Sequence, residues 1–179
     1  PIAERPGELR TTVAGNALAM ATARKPVLRR SADQAVVDLV ARAKAINDDD
    51  GYLFWVDWLE LFGSYLNPDV ERLGDVDVYY RLARRYEGDE YTVMARQRCR
   101  QAEHSGRSFP TFTAELLWPE TEVMRALLGR SAIISLVATP PAQLGAPSRL
   151  LFSRPRPPVA EQSLNPGGPT DTPALVCPA

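Results

Sequence analysis

An α/β (α+β) domain is predicted: a small mixed β-sheet flanked by helices, followed by a proline-rich, disordered C-terminal tail. Three observations predict it. Two aromatic and β-branched runs, 53–62 and 75–82, have strand character. Helical apolar spacing precedes and follows them. Ten of the sixteen prolines fall in 140–179, which denies that stretch regular hydrogen bonding.

The elements follow in order. Residues 1–30 show no steady periodicity and hold Pro6, Gly7, Gly15 and Pro26, so they are expected to form a flexible N-terminal arm. The chain begins at Pro1, and Met20 is taken as near a true start, with 1–19 an upstream extension. Ser31 and Gln34 have capping-box spacing, and Val36, Val37, Val40, Ala43 and Ile46 then recur at helical intervals, predicting a helix over 32–46. Asn47, Asp48, Asp49, Asp50 and Gly51 end it as a solvated acidic loop.

In the 53–62 strand, Trp58, Glu60 and Phe62 share one face, and Leu59 and Leu61 the other. Asn67, Pro68, Asp69 and Gly74 mark a connection with room for one short helical turn. In the 75–82 strand the period of two sends Asp75 and Asp77 to one side and Val76 and Val78 to the opposite side, into a core. Helices are predicted at 89–104, 112–117 and 119–128, the last with Pro119 at its first position and Gly129 just past its end. Ser131–Ala138 is a short apolar run suited to a third, buried strand. The folded domain is therefore expected over 31–138 and the tail over 139–179, where Arg-Pro-Arg-Pro-Pro (154–158) is read as passive.

Composition narrows the function classes. Hydrophobic residues make up 45% of the 179, enough for a real core, and the formal net charge is −1. A nucleic-acid-coating protein would need a strong cationic excess. This balance therefore speaks against a DNA- or RNA-binding module built on the helices at 112–128. Cys99 and Cys177 are far apart and in no metal-ligand spacing, so a reducing cytoplasm is the expected compartment. No apolar run reaches the roughly 18–20 residues of a membrane span, and no membrane partner is expected.

The chemistry lies in one constellation: a hydrophobic strand ending in Gly63-Ser64, ten residues, then Asp75-Val76-Asp77 on a second strand. Gly63 lacks a Cβ, so a phosphate can approach its backbone closely. Ser64 offers a hydroxyl and an N–H to a phosphate oxygen. Asp75 and Asp77 set two hard oxygen donors on one face, which suits Mg²⁺. Two like charges side by side cost stability without a cation between them.

Leu61-Phe62-Gly63-Ser64-Tyr65 and Leu73-Gly74-Asp75-Val76-Asp77-Val78 resemble the signature of the DNA polymerase β-like nucleotidyltransferase superfamily, nearest to its minimal nucleotidyltransferase domains. The resemblance is sharp over 58–80. It implies the nucleotidyltransferase fold and transfer of an NMP from a nucleoside triphosphate, with Mg²⁺ (two-metal type included), to an RNA, protein or small-molecule acceptor. Gly63 and Ser64 would bind the nucleotide; Asp75 and Asp77 would be catalytic metal ligands. The family usually adds a third carboxylate on a later strand. Ser131–Ala138 holds none, its polar side chains being Ser131 and Ser135, and Glu115, Glu120 and Glu122 precede it. The alternative is a catalytically degenerate member that binds a nucleotide or a helical partner protein, for example in a toxin–antitoxin pair. Among weaker signals, His104 reads as an exposed helix-end residue. Arg81, Arg84 and Arg85 divide evenly between triphosphate or RNA binding and solvation. Trp55, Trp58 and Tyr65 read as core, and Trp118 as a packing anchor.

Overall fold

The computed structural model describes residues 25–155. These form an α+β structure. In chain order they are β1 (Val27–Leu28), α1 (Arg29–Asp48), β2 (Phe54–Phe62), a 3-10 turn (Gly63–Leu66), β3 (Arg72–Leu73) and β4 (Val76–Arg84). There follow α2 (Gly88–His104), α3 (Phe112–Leu116), α4 (Trp118–Leu128), β5 (Ile134–Val137), a second 3-10 turn (Pro141–Leu144) and β6 (Ser148–Ser153). Four strands make one mixed sheet in the order β5-β4-β2-β6, with β4 and β5 parallel and the other pairs antiparallel. β1 and β3 form a separate antiparallel pair.

α1 buries Ala32, Val36, Leu39, Ala43 and Ile46, a stripe stepping alternately four and three residues. The stripe runs through Leu39 and leaves Val37 exposed, one position off the expected set. The helix packs on β2 and against α4, whose Val123 and Leu127 are fully buried. Leu59 and Leu61 of β2 and Val76 and Val78 of β4 complete the same core. The face assignment from alternation therefore holds on both strands. Asn47, at the end of α1, holds β2 with its amide: Nδ2 donates to the Val56 carbonyl at 2.9 Å, and Oδ1 accepts from the Val56 N–H at 2.7 Å.

Three expectations need correction. First, the stretch after 139 contributes to the sheet: β6 pairs along the outer edge of β2. Its six residues contain no proline and lie between Pro147 and Pro155, positions compatible with an edge strand. The Arg154 N–H donates to the Asp57 carbonyl at 3.0 Å and fastens its far end. Proline content over forty residues averaged across this strand and hid it. Second, the helix begins at Arg29, and neither Ser31 nor Gln34 caps it; Gln34 Nε2 instead donates to Asp38 one turn on. The Arg29 N–H finds its acceptor in the Glu71 carbonyl at 2.8 Å, so a tertiary contact replaces the local cap. Third, the expected arm ends earlier, because Val27 and Leu28 pair with Leu73 and Arg72. Residues 1–24, with Met20, and 156–179, with Cys177 and most of the Arg-Pro-Arg-Pro-Pro piece, lie outside the described residues.

Candidate active site

β2 delivers the Gly-Ser pair, and β4 delivers the acids. Phe62 closes β2 in extended backbone, and Gly63 then turns with φ +74°, a left-handed value that disfavours any residue with a Cβ. The antiparallel register sets Phe62 opposite Asp77, so Gly63 falls beside the Asp77 side chain. A Cβ built on Gly63 would stand 2.9 Å from Asp77 Oδ2. The Gly63 backbone and the second aspartate thus share one end of the sheet, with Ser64 exposed in the turn that follows.

Asp77 and Asp75 flank Val76, which is fully buried and whose N–H donates to the Ile133 carbonyl at 2.9 Å. On the other side of β4, the parallel register sets Ser135 opposite Asp77, and the Ser135 side chain hydrogen-bonds the carboxylate. Burial holds the Asp77 carboxyl above the ordinary aspartate range, and the charge of Asp75 pushes the same way; the Ser135 hydrogen bond opposes both. Among the described residues, no ion pair joins either aspartate. No cluster of three or more Asp, Glu, His or Cys with metal-binding geometry occurs among them either.

The four predicted residues therefore lie on two strand ends brought together by one β2–β4 register. The acids upstream of β5 lie elsewhere. Glu122 takes Arg98 in a two-point ion pair, at 2.7 and 2.9 Å, between α4 and α2. Glu115 sits in α3, where its carbonyl accepts from the Cys99 thiol. Glu120 opens α4, near enough to Tyr80 to raise its hydroxyl pKa after burial has done so. The register position beside Asp77 on β5 is held by Ser135, a hydroxyl and not a carboxylate.

Other sequence signals resolve into structure. Arg81 pairs with Asp57 at 2.9 Å and lies over the Trp58 ring. Arg85 donates to the carbonyls of Ile46, Asn47 and Asp49, and so closes the C-terminus of α1. His104 is exposed at the end of α2, with its ring against the Arg100 carbonyl. Trp118 is buried between Phe109 and Arg107. Asp57 is the buried charged residue that strand reading left unassigned. It is the extra residue of a β-bulge between Val56 and Trp58, and Arg81 and Arg154 pair with it. A lone acid inside Phe-Trp-Val-Asp-Trp-Leu was its only signal in the sequence.

Comparison with known proteins returns no match: no family model fits the chain, and no curated protein or solved structure is significantly similar to it.

Proposed function

We propose that this chain is a nucleotidyltransferase-fold, Mg²⁺-dependent enzyme that moves an NMP from a nucleoside triphosphate to an RNA, protein or small-molecule acceptor. The observation that carries the reading is the 2.9 Å approach of a Gly63 Cβ position to Asp77 Oδ2. It sets an open backbone cradle and a partly buried carboxylate side by side, where a side chain on residue 63 would fill the space. The donor set fits Mg²⁺ in the way that ion is usually held: one or two carboxylates from the protein, the other positions going to water and substrate phosphate. When bound, the ion would offset triphosphate charge and polarise the phosphorus under attack.

The chain's own groups divide the remaining work. The Gly63 backbone admits a phosphate oxygen at close range. The Ser64 N–H and hydroxyl can each donate to it. Asp75 and Asp77 supply the two anionic oxygens, and burial followed by the charge of Asp75 holds the Asp77 carboxyl above the ordinary aspartate range. Ser135 orients Asp77 through its hydrogen bond.

A second reading is favoured by Ser135 itself. With a hydroxyl at that register position and no metal-binding group of three acids among the described residues, the domain is a degenerate member that binds a nucleotide or a helical partner, as in a toxin–antitoxin pair. The two readings separate in one experiment. The full chain is incubated with each α-labelled NTP and Mg²⁺ against total RNA, then a protein extract, then small-molecule hydroxyl acceptors, beside a folded Asp75→Asn/Asp77→Asn chain. Label transfer that disappears in the variant establishes the enzyme and its acceptor class. NTP binding without transfer to any acceptor assigns the degenerate reading. No binding of any NTP overturns both nucleotide readings.

A further inference from the structure

We propose that Arg29, the first residue of α1, is a positioning residue that sets the Gly63-Ser64 turn from behind. The inference rests on the nucleotide-binding reading of that turn. Arg29 is remote from it in sequence, yet nearly all of its hydrogen-bonding capacity is spent on the segment that follows Ser64. Its Nε donates to the Val70 carbonyl at 2.9 Å. Both terminal nitrogens reach the Tyr65 carbonyl at 3.3 Å, and one of them also donates to the Asn67 carbonyl. Its backbone N–H donates to Glu71 O. The guanidinium also lies over the Tyr65 ring, 5.3 Å from its centre.

A second tie comes from one turn further along the same helix. Tyr65 is buried, and its hydroxyl donates to Asp33 Oδ1 at 2.7 Å. Arg29 and Asp33 are four residues apart, hence neighbours on one face of α1. The residue directly after Ser64 is thus gripped at its carbonyl, its ring and its hydroxyl by a single helix face. Within the loop, the Asn67 N–H returns to Ser64 O at 3.2 Å, and Asn67 Oδ1 accepts from the Asp69 N–H at 3.0 Å.

The chemistry of the guanidinium suits this role and no simpler cation does. Three carbonyls at different heights need donors fixed in a plane; the arginine fork supplies five, whereas a lysine ammonium acts as a compact point charge. These carbonyls belong to a 3-10 turn and the loop after it, which have no helix to continue into; the loop itself supplies only a long hydrogen bond to one of them, from the Val70 N–H to the Asn67 carbonyl at 3.4 Å. Without Arg29 the turn keeps its connection to β2, but the path from Ser64 to Asp69 loses its fixed points. Asp77 is held independently by the β4 ladder, and Asp75 directly precedes the first residue of that strand. The effect should therefore fall on the grip of the phosphates and not on the carboxylates.

The test uses the full chain with Arg29→Lys, and Tyr65→Phe as a milder second variant that removes only the Asp33 tie. Amide hydrogen exchange is followed over 63–71 and, as internal reference, over 54–61 and 36–46, alongside MgATP binding and NMP transfer. Exchange in Arg29→Lys should rise about tenfold or more in 63–71 while the reference segments stay protected. The NTP KM should rise about tenfold with kcat within about threefold, because uniform binding is lost and transition-state contacts are not. Tyr65→Phe should move both in the same direction by less. Unchanged exchange in 63–71, or a rise spread evenly over all three segments, overturns the positioning role. Loosened exchange with unchanged NTP affinity overturns its link to the phosphate grip. If the parent chain binds no NTP while 63–71 still loosens in the variant, the nucleotide reading fails and the clamp itself stands.

Discussion

Gly63→Ala is the most informative single change, because the structure separates its two costs. The residue sits at φ +74°, and a Cβ there would be 2.9 Å from Asp77 Oδ2. Left-handed backbone costs an L-residue about 1–2 kcal/mol. The close approach adds a second cost, since the partly buried Asp77 carboxylate must shift to make room for a Cβ. Crowding of this kind is worth about 1–3 kcal/mol. Two other glycines isolate the contributions. Gly88 also has positive φ (53°) but nothing within 4 Å of its Cβ position, so Gly88→Ala should show the backbone cost alone. Gly74 has open space and no positive φ, so Gly74→Ala should be neutral or stabilising by up to about 1 kcal/mol. Equilibrium urea unfolding of the three variants gives the comparison. Gly63→Ala should lose about 2–5 kcal/mol, clearly more than Gly88→Ala. Removing the carboxylate in Gly63→Ala/Asp77→Ala should return the excess as a coupling energy. A Gly63→Ala chain no less stable than Gly88→Ala, with no coupling to Asp77, would refute the juxtaposition on which the site rests.

Two further predictions concern charge. The Asp77 carboxyl is held above its ordinary range by burial and then by Asp75, so the folded chain binds that proton more tightly than the unfolded chain. Ionised Asp77 therefore costs stability above its raised pKa, and the cost fades as pH falls through that value toward the ordinary aspartate range. Asp77→Asn should accordingly be more stable than the parent at pH 7, and urea curves for the two should converge on acidification; a constant gap across pH would contradict this. Asp57 is buried between Arg81 and Arg154, and Asp57→Ala leaves both guanidiniums without it at the β2 bulge. Because Arg81 is 45% exposed, the loss should be about 2–3 kcal/mol, less than the full cost of breaking a wholly buried pair. Exchange protection should drop first in β6, which Arg154 anchors, and a loss confined to β4 would argue against this anchoring.

The elements with local signals were legible from the chain alone. Apolar spacing located α1, α2 and α4, and the period-two pattern located β2 and β4 and sorted Val76 and Val78 from Asp75 and Asp77. Gly63-Ser64 and the two aspartates could be picked out because each residue type carries its chemistry with it. What the chain alone did not reveal depends on partners distant in sequence. β6 is a strand because β2 has a free edge, and its proline-flanked composition says nothing of that edge. Arg29 starts α1 because Glu71 accepts its N–H, so local capping rules misplace the helix start by three residues. Ser135 meets Asp77 only through the parallel β4–β5 register, and Gly63 meets it only through the antiparallel β2–β4 register. Side-chain alternation decides which way a residue points along its own strand. Which residue it then faces is set by backbone hydrogen bonds between strands, and those form only when the whole sheet assembles.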